Sequence, residues 1–246
     1  MLVLSFSLST ITVPCVLGAE DSWKTRASTM PRRELGVTAV NGKIYIIGGF
    51  EADGTPTNVT QVYDPETNFW STKALMPTSM GCHAAAVVNS SVYVFGGTTQ
   101  WITGSNFDLT QVYDTKSDTW SYATPIPMAP AFPAAGATTG VDAPKRIYII
   151  SYPNITQVYN PEDDTWSTGT EMATNRGIFG VAVVNDRLYV IGGGSAIFPT
   201  IYFSGENEEY TPFGYIPEFP ALMMLPLFLF ATLVVVGIKR KVFRPT

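Results

Sequence analysis

The chain has 246 residues, enough for one domain with extensions or for two small ones. Charged residues make up 14% against 46% hydrophobic and 13% aromatic, with 21 Gly and 18 Pro, which excludes a disordered chain, a coiled coil and a helix-rich enzyme. Fifteen Lys and Arg against 20 Asp and Glu (net −5) exclude nucleic acid as partner, and one His with two Cys leaves too few donors for most zinc, copper or Cys/His catalytic centres, so no cofactor is expected.

Residues 1–19 read as a secretory signal. Met1 to Val16 carry no charge and are mostly apolar, and Gly18-Ala19 supply the small residues of a cleavage site. No Lys or Arg stands near Met1, so a buried strand is the competing reading. Beyond the signal Cys82 is the sole cysteine, which suits a small buried filler and allows no internal disulfide.

A repeat fills residues 20–210. Lys43-Ile44-Tyr45-Ile46-Ile47-Gly48-Gly49 recurs as Ser91 to Gly97 and Arg187 to Gly193, with a fourth copy at Arg146 to Ile150 that lacks the Gly pair. Gln61-Val62-Tyr63, Gln111-Val112-Tyr113 and Gln157-Val158-Tyr159 follow, and seven residues after each Tyr comes Trp70, Trp120 or Trp166. The β-branched and aromatic runs, parted by turn signals, make each unit a four-stranded antiparallel sheet. Small residues fill the first run of each unit, as in Ala84-Ala85-Ala86, which suits strands converging on an axis. Asn41-Gly42, Asn89-Ser90 and Asn185-Asp186 then supply tight hairpin turns.

The whole unit resembles the kelch repeat, from about Ser22 to Ser204. The resemblance implies an all-β fold, a kelch-type β-propeller of about four blades with four antiparallel strands each. The fourth repeat shows two strands and a candidate third at Thr200 to Ser204, but no Trp strand. Ser22-Trp23-Lys24-Thr25 reads like Phe69-Trp70-Ser71-Thr72, so an N-terminal strand is expected to complete the last blade and seal the ring. An arc needing a second chain is the alternative.

Kelch-type propellers bind ligands on the face that carries the loops between second and third strands. The resemblance places Arg32, Arg33, Glu34, His83 and Arg176 there, just before the inner strands. Such an Arg would hold a carboxylate or stitch blades together, and a lone His beside Cys82 suits packing better than catalysis. Trp101 and Phe107 sit in a long loop outside the repeat register, where Trp101 would stack on a sugar, anchor a peptide, or fold over apolar surface. Asn58, Asn89 and Asn154 head glycosylation sequons. The copper oxidases that resemble galactose oxidase need two His, which this chain lacks. Sialic-acid mutarotases use Arg and Glu, which keeps an extracellular carbohydrate-active enzyme, of epimerase or lyase type, as an alternative. A structural envelope component is the third reading.

At the other end, Ala221 to Ile238 runs eighteen residues without a charge, close to a bilayer span, and Lys239-Arg240-Lys241 follows at once. The expectation is a linker at 211–220, a transmembrane helix at 221–238 and a cytoplasmic basic tail at 239–246. The repeat region, residues 20–210, then carries eleven basic and nineteen acidic residues. Ile216-Pro217-Glu218-Phe219-Pro220 looks like the Pro-Glu-Phe sorting tags of archaeal surface proteins, which implies a sortase-type processing enzyme as partner. The sequence thus points to a surface-anchored module that binds a glycan or protein ligand.

Overall fold

Runs of four to eight β-branched, aromatic and small residues, each stopped by Asn, Asp or Gly, build seventeen strands among the described residues and no helix. The computed structural model describes residues 23–100, 104–197 and 200–217. The expected signal, Trp101 and the apolar span with its basic tail lie outside the described residues.

The first sheet joins β1 (Gly36–Val40), β2 (Lys43–Ile47), β3 (Thr60–Asp64) and β4 (Phe69–Thr72) in sequence order, each pair antiparallel. The second repeats it with β5 (Gly81–Val88), β6 (Ser91–Thr98), β7 (Thr110–Asp114) and β8 (Thr119–Tyr122). The third does so with β9 (Ala131–Ala137), β10 (Ile147–Tyr152), β11 (Ile155–Asn160) and β12 (Thr165–Thr168). The fourth sheet has three strands, β13 (Gly180–Val184), β14 (Arg187–Ile191) and β17 (Asn207–Tyr210). A hairpin of β15 (Gly194–Ile197) and β16 (Thr200–Phe203) lies between β14 and β17. The third strand anticipated at Thr200 to Ser204 therefore belongs to this hairpin, and Glu208-Glu209-Tyr210 takes its place.

The repeat residues are the joints between blades. Tyr63, Tyr113 and Tyr159 stand opposite Trp70, Trp120 and Trp166, with ring centroids 5.0, 5.1 and 5.0 Å apart. Each indole then reaches across to a linker: Trp120 Nε1 donates to the Ala74 carbonyl at 2.9 Å, and Trp166 Nε1 to that of Thr124 at 2.9 Å. The turn carboxylates Asp118 and Asp164 accept from the amides of the same two residues, and from Tyr113 and Tyr159. Apolar faces fill the space between sheets: Tyr45 and Ile47 against Val92, Val94 and Tyr113; Ala84, Ala86 and Phe95 against Ile147, Ile149 and Tyr159; Tyr148 and Ile150 against Leu188 and Val190. Trp120→Phe keeps the ring contact and deletes only the indole bond. It should cost about 1 kcal/mol in a thermal unfolding measurement.

Closure departs from expectation. The inner strands pack in the order β1, β5, β9, β13, but no comparable packing returns from β13 to β1. No strand precedes Gly36 among the described residues, and Trp23 is fully exposed. The N-terminal segment docks on its own first blade instead: Ala27 N–H donates to Asn68 Oδ1 at 2.9 Å, and Trp70 Nε1 donates to the Ala27 carbonyl at 2.8 Å. Residues 25–31 thus act as an interblade linker, as residues 72–77 do.

Candidate functional site

Four equivalent positions head the inner strands: Glu34, Cys82, Phe132 and Ile178. All four have positive φ, at 53°, 53°, 49° and 54°. The seven other non-glycine residues with positive φ among the described residues are all Asn or Asp in strand-to-strand turns, where that conformation is tolerated. Glu, Cys, Phe and a β-branched Ile hold it at a cost of about 1–3 kcal/mol each. The ladder just beyond fixes them. Arg33 N–H and Phe50 N–H bond reciprocally to each other's carbonyls, and Cys82 N–H donates to the Glu34 carbonyl at 3.0 Å.

The set is chemically mixed. Glu34 and Arg33 are exposed, and Arg33 lies 5.7 Å from the Phe50 ring centroid. Cys82 is half-buried with its Sγ 4.0 Å from a Glu34 carboxylate oxygen. Burial first, and the Glu34 charge second, push this thiol up to about 11 against a smaller opposing effect of Arg33, so it stays a protonated thiol at neutral pH. Phe132 and Ile178 are exposed, Ile178 by 67%. Gly177 keeps the two elements close, since a Cβ there would lie 3.5 Å from that of Phe132. Sequence reading missed Phe132 and Ile178. The signal was present in register, two residues after Pro130 and Arg176 as Glu34 follows Arg32.

The other anticipated residues are placed as follows. Arg176 is buried, and its guanidinium donates to the carbonyls of Gly192, Glu206 and Val190 and to Glu208 at 3.2 Å. Arg32 is its counterpart in the first blade, donating to the carbonyls of Gly48 and Val59 and to Gln61 at 2.6 Å. Both knit loops within a blade. His83 is buried between the first two blades, where a Cβ on Gly36 or Gly48 would meet its ring. Its burial pushes the imidazole down to about 4, the Ile47 backbone opposing, so it is neutral near pH 7. Phe107 packs half-buried against the first core cluster. Asn58 and Asn154 spend their amide nitrogens on the carbonyls of Met76 and Met172, and Asn89 accepts from Lys145. Among the described residues no group of three or more His, Cys, Asp or Glu is placed to hold a metal.

Four radially arranged sheets, with small inner strands and Tyr–Trp joints, define a β-propeller. Comparison with known proteins narrows the class. The kelch-repeat pattern described as "KLHDC2/KLHL20/DRC7 Kelch-repeats domain" matches residues 18–193, and the chain belongs to that repeat family. An F-box/kelch-repeat protein of Arabidopsis thaliana is 34% identical over 88 residues, 35% of this chain and 23% of the relative. Kelch-like protein 15 of Danio rerio is 42% identical over 65 residues, 23% of this chain and 10% of the relative. The matched stretches thus span under a quarter of those relatives' length. The solved structure of YjhT superposes with a TM-score of 0.66 at 17% identity, over 78% of this chain and 73% of that one, which shows the shared fold.

Proposed function

We propose that the protein is a kelch propeller that binds a polypeptide partner through the heads of its inner strands. The observation that carries this reading is the quartet of left-handed residues, because a backbone penalty held at four equivalent places presents side chains that a glycine would not. Phe132 and Ile178 offer apolar contact, and Glu34 offers a carboxylate for a cationic group of the ligand. Burying an exposed Phe or Ile on binding contributes about 1.5–3 kcal/mol, which is at least ten-fold in affinity. An exposed apolar pair suits a protein segment better than the polar rim of a sugar.

The apolar run at 221–238 and the basic cluster after it support an anchored setting, with the propeller outside a membrane and a sortase-type enzyme acting near Pro217-Glu218-Phe219. The test is a peptide-display selection on the full chain in detergent micelles, beside a glycan array. Selected peptides should lose ten-fold or more in affinity against Phe132→Ser and Ile178→Ser. Ile178→Gly should lose binding equally while gaining about 1 kcal/mol in stability, since glycine relieves the positive φ. Glycan binding untouched by these substitutions would overturn the reading.

A further inference from the structure

The fourth blade is one strand short, and its open flank has a defined shape. In the first three blades Tyr63, Tyr113 and Tyr159 pair with a Trp on an outer strand. Tyr210 holds the same register position on β17, opposite Leu188 as Tyr63 is opposite Ile44, yet β17 has no outer neighbour among the described residues. A cleft of about 440 Å³ runs beside it, lined by Ile150, Met172, Val190 and Tyr210 among others. The described chain after β17, residues 211–217, does not fill the flank. It runs past Arg187 of its own blade, which lies over the Tyr215 ring, to the third blade, where Ile216 N–H donates to the Asp142 carbonyl at 2.6 Å.

The missing part stands at the other end of the chain. Trp23 is fully exposed, and it precedes Ala27 by four residues, as Trp70 precedes Ala74, Trp120 precedes Thr124 and Trp166 precedes Thr170. Those three outer strands each feed a linker that docks on the next blade. Ala27 is already docked on the first blade, so four residues restrict Trp23 to a blade lying directly against that one. The chain's own fourth blade does not lie there. The outward faces of both end blades are open, with Val37 59%, Val184 54% and Ile191 50% exposed. In repeat register they are the two halves of one blade joint. Tyr189 on the last blade corresponds to Tyr45, which packs on Tyr113 at 5.9 Å, and Tyr63 on the first corresponds to Tyr113.

We infer that this joint forms between two copies of the chain, with the Trp23 strand of each completing the fourth blade of the other. The register specifies the contacts. By analogy with Tyr63 opposite Trp70 and Val62 opposite Ser71, the partner's Trp23 lies opposite Tyr210 and the partner's Lys24 opposite Glu209. The first three blades carry a Val–Ser pair where this one brings a cation against an anion. That charge pair suits the joint to its own end strands. Trp23 Nε1 would donate to the Thr170 carbonyl, as Trp166 does to Thr124. Mutual exchange leaves neither copy an open end, so assembly closes at two.

The test mixes two full-length chains in detergent micelles, one Lys24→Cys and one Glu209→Cys, both in a Cys15→Ser, Cys82→Ala background. Residues opposite each other on paired strands lie close enough for a disulfide. Mixed dimers on a non-reducing gel, with a two-copy protein mass by light scattering, are expected. Trp23→Ala should weaken dimerisation thirty-fold or more. Lys24→Glu and Glu209→Lys should each weaken it about five-fold and restore it when combined, which a folding defect would not do. A monomer that cross-links only within one doubly substituted chain would overturn the inference in favour of self-closure. Absence of any cross-link would overturn it as well.

Discussion

Arg176→Met is expected to lower stability by about 3–5 kcal/mol, a fall of roughly 10 °C in the unfolding midpoint followed by near-ultraviolet circular dichroism. Arg176 is 1% exposed, and its guanidinium satisfies three backbone carbonyls as well as Glu208. Removing it leaves a carboxylate with no cation and three carbonyls short of a donor. Arg32→Met in the first blade should cost less, about 1–2 kcal/mol, because its side-chain partner Gln61 is uncharged. The second blade shows how to repair the loss. There Met80 occupies the position of Arg176 and Gln111 that of Glu208, with Gln111 Nε2 3.9 Å from the Met80 sulfur. Arg176→Met combined with Glu208→Gln copies that pair and should recover at least half the stability lost by the single substitution. If the double variant is as unstable as the sum of the two singles, the pair is not the reason for the cost.

Acidification should unfold the protein in two stages, read as denaturant midpoints against pH. His83 is neutral in the fold with its pKa near 4, against about 6.5 in the unfolded chain. The unfolded state therefore binds the extra proton first, and stability falls by about 3 kcal/mol between pH 6.5 and pH 4. Asp186 governs the next stage. Burial alone would raise its pKa, but the amides of Thr139, Ala143 and Asp142 and the Thr139 hydroxyl outweigh that and hold it at about 2. Val141 N–H adds another bond to the same carboxylate at 3.0 Å. The folded value lies below the unfolded one, so this contribution is whole above pH 4 and is lost as pH falls toward 2, about 2 kcal/mol in all. His83→Gln should flatten the upper stage and leave the lower one. Asp186→Asn should remove the lower stage and weaken the 139–143 loop at neutral pH.

Much of this architecture is readable in the chain because its determinants are short-range and repeated. The Gly pair, the Gln-Val-Tyr run and the Trp seven residues on mark second, third and outer strands in three blades, and the structure places them there. The fourth blade escaped because Glu208-Glu209-Tyr210 lacks the apolar look of a central strand. Its first Glu answers Arg176, a dependence that only folding reveals. Ring closure was misjudged for a related reason. The Trp23 segment has the right sequence and the same four-residue spacing to its linker, but the curvature of the stacked blades, which no local motif encodes, leaves the fourth blade away from the first. At the candidate site Glu34 stands out beside its charged neighbours, whereas Phe132 and Ile178 are marked in sequence only by repeat register, and their left-handed backbone shows only in the structure. Asp186 looked like a simple turn residue, and its five hydrogen bonds to residues 139–143 join segments more than forty positions apart.

The indole-to-linker bond has an evolutionary corollary. Because each of the first three sheets offers its successor the same socket and its predecessor the same plug, a stretch of 46 to 50 residues, the spacing of Trp70, Trp120 and Trp166, can be duplicated or excised without inventing a new junction. Lineages carrying this gene can therefore change the size of the assembly by recombination in single steps. Each resulting array inherits the same two sticky ends.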